Sequence, residues 1–276
     1  MIMKTTLIYL VCSIFLMNSC KGNLCYSEKE IIAIKESQAS SLNSINQNDT
    51  LLINIQEKVL DAFVNGKISK SDKGLADLEQ TLLILNKNDN NGIIIYWYSY
   101  TCYYHSILLM IEKENKSSEK ILEEGIMQLK KVSSLNSEHL ALLALMESFS
   151  IQYASGMEIP FISKRVKQNA EKALQLDSLN LRAYFVLGSN DFYSPEQYGG
   201  GKKAASYLIK AIKLNDQSVA NAYLPTWGKN SAYEMLIRLY INHKQFAEAK
   251  KYYQEAITLF PDDYMINKLS KDLINN

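Results

Sequence analysis

Along nearly the whole chain apolar residues return at spacings of three and four, and strand-like alternation is scarce. The pattern predicts a succession of helices, each burying one stripe, and hence an all-α fold. Two stretches depart from the one-stripe pattern. "TLIYLVCSIFLM", inside the first twenty residues, has no polar face before Asn18. "IIIYWYSYTCYYHSILLM" is aromatic around its whole circumference, as a fully buried helix would be. With 11 Gly and 4 Pro in 276 residues, the chain has few of the residues that tight turns demand.

Near the C-terminus the spacing becomes specific. In "NSAYEMLIRLYINHKQFAEAKKYYQEAITLFPDD", Tyr233, Leu236, Tyr240, Ala249, Tyr253, Ala256 and Pro261 fall where the tetratricopeptide repeat (TPR) has its signature residues, and the segment resembles that family. The resemblance implies that large residues knit helix A to helix B and that small ones let the two backbones approach. Pro261 would stop helix B, because proline lacks the N–H and clashes with the preceding turn. Ile237 and Lys244 replace the usual glycines. Weaker copies lie upstream, carrying Tyr184, Leu187, Gly188, Ala204, Leu208 and Ala211, then Ala170 and Ala173, then Gly125, Leu129 and Val132, then Leu75 and Leu82.

The matching positions Leu82, Val132, Ala173, Ala211 and Ala256 are 50, 41, 38 and 45 residues apart, longer than the family's repeat of about 34. The surplus is expected in or near enlarged A-to-B turns at "IEKENKSS", "YASGMEIPF" and "YSPEQYGGG" on one edge, with lengthening of a helix before Gly125 as the alternative for part of it, and in "QSVANAYLPTWGK" on the opposite edge. The expected organisation is a signal at 1–19, a tether and N-terminal helix at 20–48, and a degenerate array at 49–276. The best repeats are 181–216 and 230–263, and a polar-outside final helix turns Met265, Leu269 and Leu273 inward. About 100 residues around "LNLRAYFVLGSNDFYSPEQYGGGKKAASYLIKAIKL" resemble exported TPR proteins of the Bacteroidetes type, which implies fold and export but no activity.

Export also follows from the N-terminus. Lys4, the apolar run and Ser19–Cys20 stand in the order of a secretory signal too short for a stable membrane span. The stretch resembles a bacterial lipoprotein signal, which implies a Cys20 lipid anchor and an outer-membrane protein facing the periplasm. Cleavage near Ser27, releasing a secreted chain, is the alternative. Loss of Lys4 leaves 29 basic against 29 acidic residues, so no net field draws in nucleic acid. Of the cysteines, Cys25 and Cys102 are expected as unpaired thiols, with a disulfide between them as the alternative.

Candidate chemistry thins out on inspection. "YSPEQYGGGKKAASYL" suggests a phosphate loop, but no strand precedes it, its glycines are contiguous, and Ala204 stands near the place of the required hydroxyl. It reads as a turn. His105, His139 and His243 sit in three different helices, and neither H-E-x-x-H nor Cys-x-x-Cys occurs, so no metal site is expected. Neither an enzyme nor a cofactor is expected. The predicted function is an extracytoplasmic TPR scaffold or adaptor for a peptide or protein partner; the alternative is a solute-binding lipoprotein associated with a transporter. Repeat-protein insertions gather on binding faces, and amphipathic side chains are enriched at interfaces. The candidate contact residues are therefore Met157, Phe161, Tyr193, Tyr198 and Arg238.

Overall fold

The computed structural model describes residues 51–89, 92–196, 200–217 and 221–274, the side chains of 87–89 excepted. The signal, Cys20, Cys25 and Tyr198 lie outside the described residues. No strand occurs among those described. Helices pack as consecutive pairs: α1 (Ile55–Ser69) with α2 (Lys73–Asp89), α3 (Gly92–Ile111) with α4 (Asn115–Lys130), α5 (Ser137–Ser150) with α6 (Ile159–Leu176). Then come α7 (Leu181–Tyr193) with α8 (Ala204–Lys213) and α9 (Lys229–Asn242) with α10 (Phe246–Leu259). Each first helix also packs on the next first helix, and each second helix on the first helix that follows. One layer of first helices and one of second helices result, the architecture of a TPR-like α-solenoid.

Small residues set the close crossings. Ala170, Ala173, Ala204, Ala211, Ala249 and Ala256 are fully buried along the second helices. At Gly125 in α4 an added Cβ would lie 2.7 Å from Cβ of Cys102 in α3, and at Gly188 in α7 it would lie 2.7 Å from Cγ of Leu208 in α8. Asparagine starts two first helices: Asn136 and Asn180 accept from the backbone N–H of His139 and Ala183, both at 3.0 Å. The aromatic run in α3 is core, with Trp97 fully buried and Tyr96 and Tyr100 nearly so. Cys102 holds a free thiol inside it.

Three expectations need correction. "IEKENKSS" is not an enlarged turn: only residues 112–114 separate α3 from α4, with Lys113 at φ 66° as Lys244 is at 59° between α9 and α10. The surplus lengthens α3 to 20 residues and α4 to 16, because a polar sequence without Gly or Pro has nothing to stop a helix. Val132 therefore falls beyond α4, and buried Leu129 stands before Asn136 as Ala173 stands before Asn180. The final helix breaks into α11 (Tyr264–Lys268) and α12 (Ser270–Ile274), started by the Asp263 carboxylate. Ile266, Leu269 and Leu273 face inward, while Met265 is exposed.

Candidate functional site

The turn after α5 is 151–158, and that after α7 is described at 194–196 and 200–203; between them the Ser163 hydroxyl near the start of α6 donates to the Asn190 side-chain carbonyl near the end of α7 at 2.9 Å. In the first turn Glu158 accepts from the Ser155 N–H and hydroxyl at 2.9 and 2.7 Å. Met157 in this turn and Phe161 at the start of α6 are 84% and 68% exposed. In the second turn the glycines have a structural use. A Cβ on Gly200 would lie 2.0 Å from the Ser194 carbonyl oxygen, and Gly201 has φ 77°. The N–H groups of Lys203 and Ala204, which an anion at the α8 N-terminus would need, both donate to the Asp191 carboxylate at 2.7 Å. The chain's own carboxylate fills the place of a phosphate.

Beside these turns a cavity of about 260 Å³ opens between α7, α9 and the C-terminal cap. It is lined by Phe192, Tyr193, Arg238, Ile241, Leu269 and Asp272, with Asn242 at its side. Tyr193 is 70% exposed, its ring 4.9 Å from and perpendicular to that of Phe192. Arg238 is ion-paired with Glu234 one helical turn earlier. The structure thus brings Tyr193 and Arg238 to one cavity and leaves Met157, between α5 and α6, and Phe161, at the start of α6, outside its lining.

Sequence reasoning missed a second concentration of contacts. The α8–α9 connection, 214–228, does more than thicken the opposite edge; its last part reaches the start of the array. The Ala222 carbonyl accepts from the Asn54 N–H at 3.2 Å. The Gln56 side chain donates to the Thr226 hydroxyl at 3.0 Å and accepts from the Thr226 N–H at 2.8 Å. Trp97 donates its indole N–H to the Tyr223 carbonyl at 2.9 Å. Trp227 is 7% exposed and donates to the Tyr96 hydroxyl at 2.6 Å. Its ring lies nearly parallel to that of Tyr100 at 6.3 Å and edge-on to Phe185 at 6.4 Å.

Arg182 completes this cluster. Its guanidinium stands 5.9 Å from the Trp227 ring and bonds both oxygens of Glu138, at 2.5 and 2.7 Å. It also bonds the Asp216 carbonyl at 3.0 Å and the Trp227 carbonyl at 3.4 Å. Burial disfavours its charge, but Glu138 more than compensates and Arg182 stays cationic. A tryptophan in the otherwise largely small and polar connection 214–228 was the one signal in the sequence.

The histidines do structural work. His105 lies between Glu79 at 2.8 Å and Asp72 at 3.2 Å. Burial opposes its charge, but the two carboxylates outweigh burial and hold it above the usual histidine range. His139 is driven below that range by burial and bonds the Gly92 carbonyl at 2.9 Å. Among the described residues no cluster of three metal-ligating side chains occurs, and no helix is long and apolar enough to cross a membrane.

Paired helices with small residues at their crossings define a TPR-like helix-pair solenoid. No family model and no curated protein matches the sequence. Among solved structures the fold is similar to the HusA haemophore from Porphyromonas gingivalis, with TM-score 0.50 and 19% identity over 71% of this chain and 95% of that one. It is also similar to a thermophilic TPR protein of Thermus thermophilus, with TM-score 0.52 and 14% identity over 79% of this chain and 98% of that one. At such identities the likeness is one of fold.

Proposed function

We propose that the chain is an extracytoplasmic, non-catalytic scaffold that holds a polypeptide partner along the edge carrying Met157, Phe161, Tyr193 and Arg238, with Tyr198 in the same connection. The observation that carries this reading is the cavity shared by exposed Tyr193 and half-buried Arg238, taken with the uncovered apolar side chains of Met157 and Phe161. Uncovered apolar groups gathered beside polar ones are a mark of interaction surfaces. At about 260 Å³ the cavity falls below the ~300–1,000 Å³ of sites that enclose a small molecule, and suits a single side chain of a larger partner. The N-terminal signal supplies the address, with Cys20 as lipid anchor at the outer membrane.

The test is affinity purification of the tagged full-length chain from membrane extracts. Tyr193→Ala and Arg238→Ala should lose the partner that the wild type retains, with unchanged helix content. Cys20→Ser should leave the membrane fraction. Retention of every partner by both surface variants would sink the edge assignment. Capture of a solute is the second reading. It is favoured by the run of ring contacts from Phe63 through Tyr104, Tyr103 and Phe149 to Tyr153 and by the haemophore among the similar folds. A haem titration that produces a saturable absorbance band at one equivalent would move the conclusion to it.

A further inference from the structure

We propose that the N-terminal parts of α1, α3 and α7 form a peptide-binding site, filled in this structure by the chain's own Ala222–Gly228, and that its ligand in trans is an extended segment containing Trp-Gly. The site is separate from the Tyr193–Arg238 cavity and goes beyond the function proposed above.

The contacts have the character of ligand recognition. They address the main chain of the strap more than its side chains: Asn54 N–H to the Ala222 carbonyl, Trp97 indole to the Tyr223 carbonyl, Gln56 to the Thr226 N–H, and Arg182 to the Trp227 carbonyl. In peptide recognition, main-chain hydrogen bonds of this kind supply affinity whatever the sequence, and a pocket for one side chain supplies the choice. Here the pocket is the Tyr96, Tyr100, Phe185 and Arg182 cage. The Tyr96 hydroxyl accepts the indole N–H at 2.6 Å, a bond that phenylalanine cannot make.

The residue after the tryptophan is restricted as well. Gly228 has φ 104°, and a Cβ there would stand 3.2 Å from Cγ of Arg182. Arg182 is itself held by Glu138, so the restriction has a fixed wall. The strap is presented as a ligand would be: the Gln217 side-chain amide donates to the carbonyls of Asn221, Leu224 and Pro225 at 3.2, 2.9 and 3.3 Å and shapes the segment from behind. Finally, the α8–α9 connection has 15 residues where helix–helix connections commonly need about 2–8, and the surplus is spent on reaching α1.

A tethered strap competes with any external peptide at an effective concentration on the order of millimolar, so the wild type should bind such a peptide weakly. The experiment uses a fluorescent, end-capped Ala-Tyr-Leu-Pro-Thr-Trp-Gly peptide and its Trp→Phe counterpart, read by anisotropy against the full chain. Trp227→Ala vacates the cage, and Gln217→Ala loosens the strap without touching the site. Both should bind the tryptophan peptide at least roughly tenfold more tightly than the wild type, since truncating an aromatic anchor commonly costs that much or more. The phenylalanine peptide should bind more weakly than the tryptophan peptide. If either variant with wild-type helix content gains no affinity up to millimolar peptide, or if the two peptides bind equally, the proposal is overturned. Should Trp227→Ala fail to fold, the Gln217→Ala result decides alone.

Discussion

Alanine placed at Gly125 and at Gly74 should move stability in opposite directions, although both glycines are helical. At Gly125 the new methyl would meet Cβ of Cys102 at 2.7 Å and Cε of Met146 at 2.8 Å. The methionine terminus can swing aside, but Cys102 Cβ is fixed to the backbone of α3. Carbon atoms rest about 3.5–4.0 Å apart, so α4 must retreat by roughly 1 Å. That movement stretches the 2.9 Å bond from the buried Ser99 hydroxyl to the Gly125 carbonyl.

Overpacking costs about 1–3 kcal/mol, and a buried donor left short of its acceptor adds a loss of similar size. The helix-propensity gain of alanine over glycine, about 1 kcal/mol, offsets only part of this. A net loss of about 1–3 kcal/mol is expected at Gly125. At Gly74 the nearest atom is Ala62 Cβ at 3.5 Å, an ordinary contact, so Gly74→Ala should gain about 0.5 kcal/mol. For a chain of this size each kcal/mol moves Tm by about 2–4 °C, which separates the two variants by roughly 5 °C in thermal melts followed by circular dichroism. A Gly125→Ala protein melting at or above Gly74→Ala would refute the crossing of α3 and α4 described here.

The two buried histidines should give stability a pH profile with its best value near the unfolded histidine pKa of about 6.5. His105, raised in the folded chain, contributes stability that is complete below that pH and lost as pH rises through its folded value; His139, lowered, contributes stability that is complete above it and lost as pH falls. Tm measured from pH 5 to 8 should therefore lose its alkaline slope in His105→Gln and its acid slope in His139→Gln, and an unchanged slope in either would contradict the assigned environment. Glu138→Gln should destabilise by about 3 kcal/mol, because it leaves buried Arg182 without its counter-charge, whereas Glu138→Gln with Arg182→Gln should cost less than the sum of the single changes. Additive losses in that double-variant cycle would show that the pair is not coupled.

The pairing of helices was legible because it depends on local spacing. Ala249 and Ala256, or Ala204 and Ala211, stand one face apart on a single helix, and only a close partner backbone explains small residues there. Tyr193 and Arg238 could be brought together for the same reason, since first helices of neighbouring repeats lie side by side and Arg238 stands one turn before Asn242, the position that corresponds to Tyr193. What was illegible has no period. The break at Leu269, which supplies a wall of the cavity, has no Gly or Pro to announce it. The shift from Val132 to Leu129 followed from counting a longer helix as a turn. The strap was invisible because its hydrogen-bond partners in α1 and α3 lie 126 to 170 residues away, and nothing in "LPTWG" names Gln56 or Tyr96.

That distance changes how the array holds together. Repeats in a solenoid touch only their neighbours, so the terminal repeats are free to open first. Here the first helix, α1, is bonded to the segment that enters α9, and α3 cages the tryptophan of that same segment. The entropic cost of closing a loop grows only by about 0.6 kcal/mol for each doubling of its length, so a tie between distant pairs costs little more than one between neighbours. Burial of a tryptophan contributes about 3–5 kcal/mol in return. The tie therefore prevails, and α1 opens only by breaking its bonds to Ala222 and Thr226. A peptide that took the place of the strap would have to provide the same bonds to Asn54, Gln56 and Trp97, and would for that reason join α1 to α3 as the strap does.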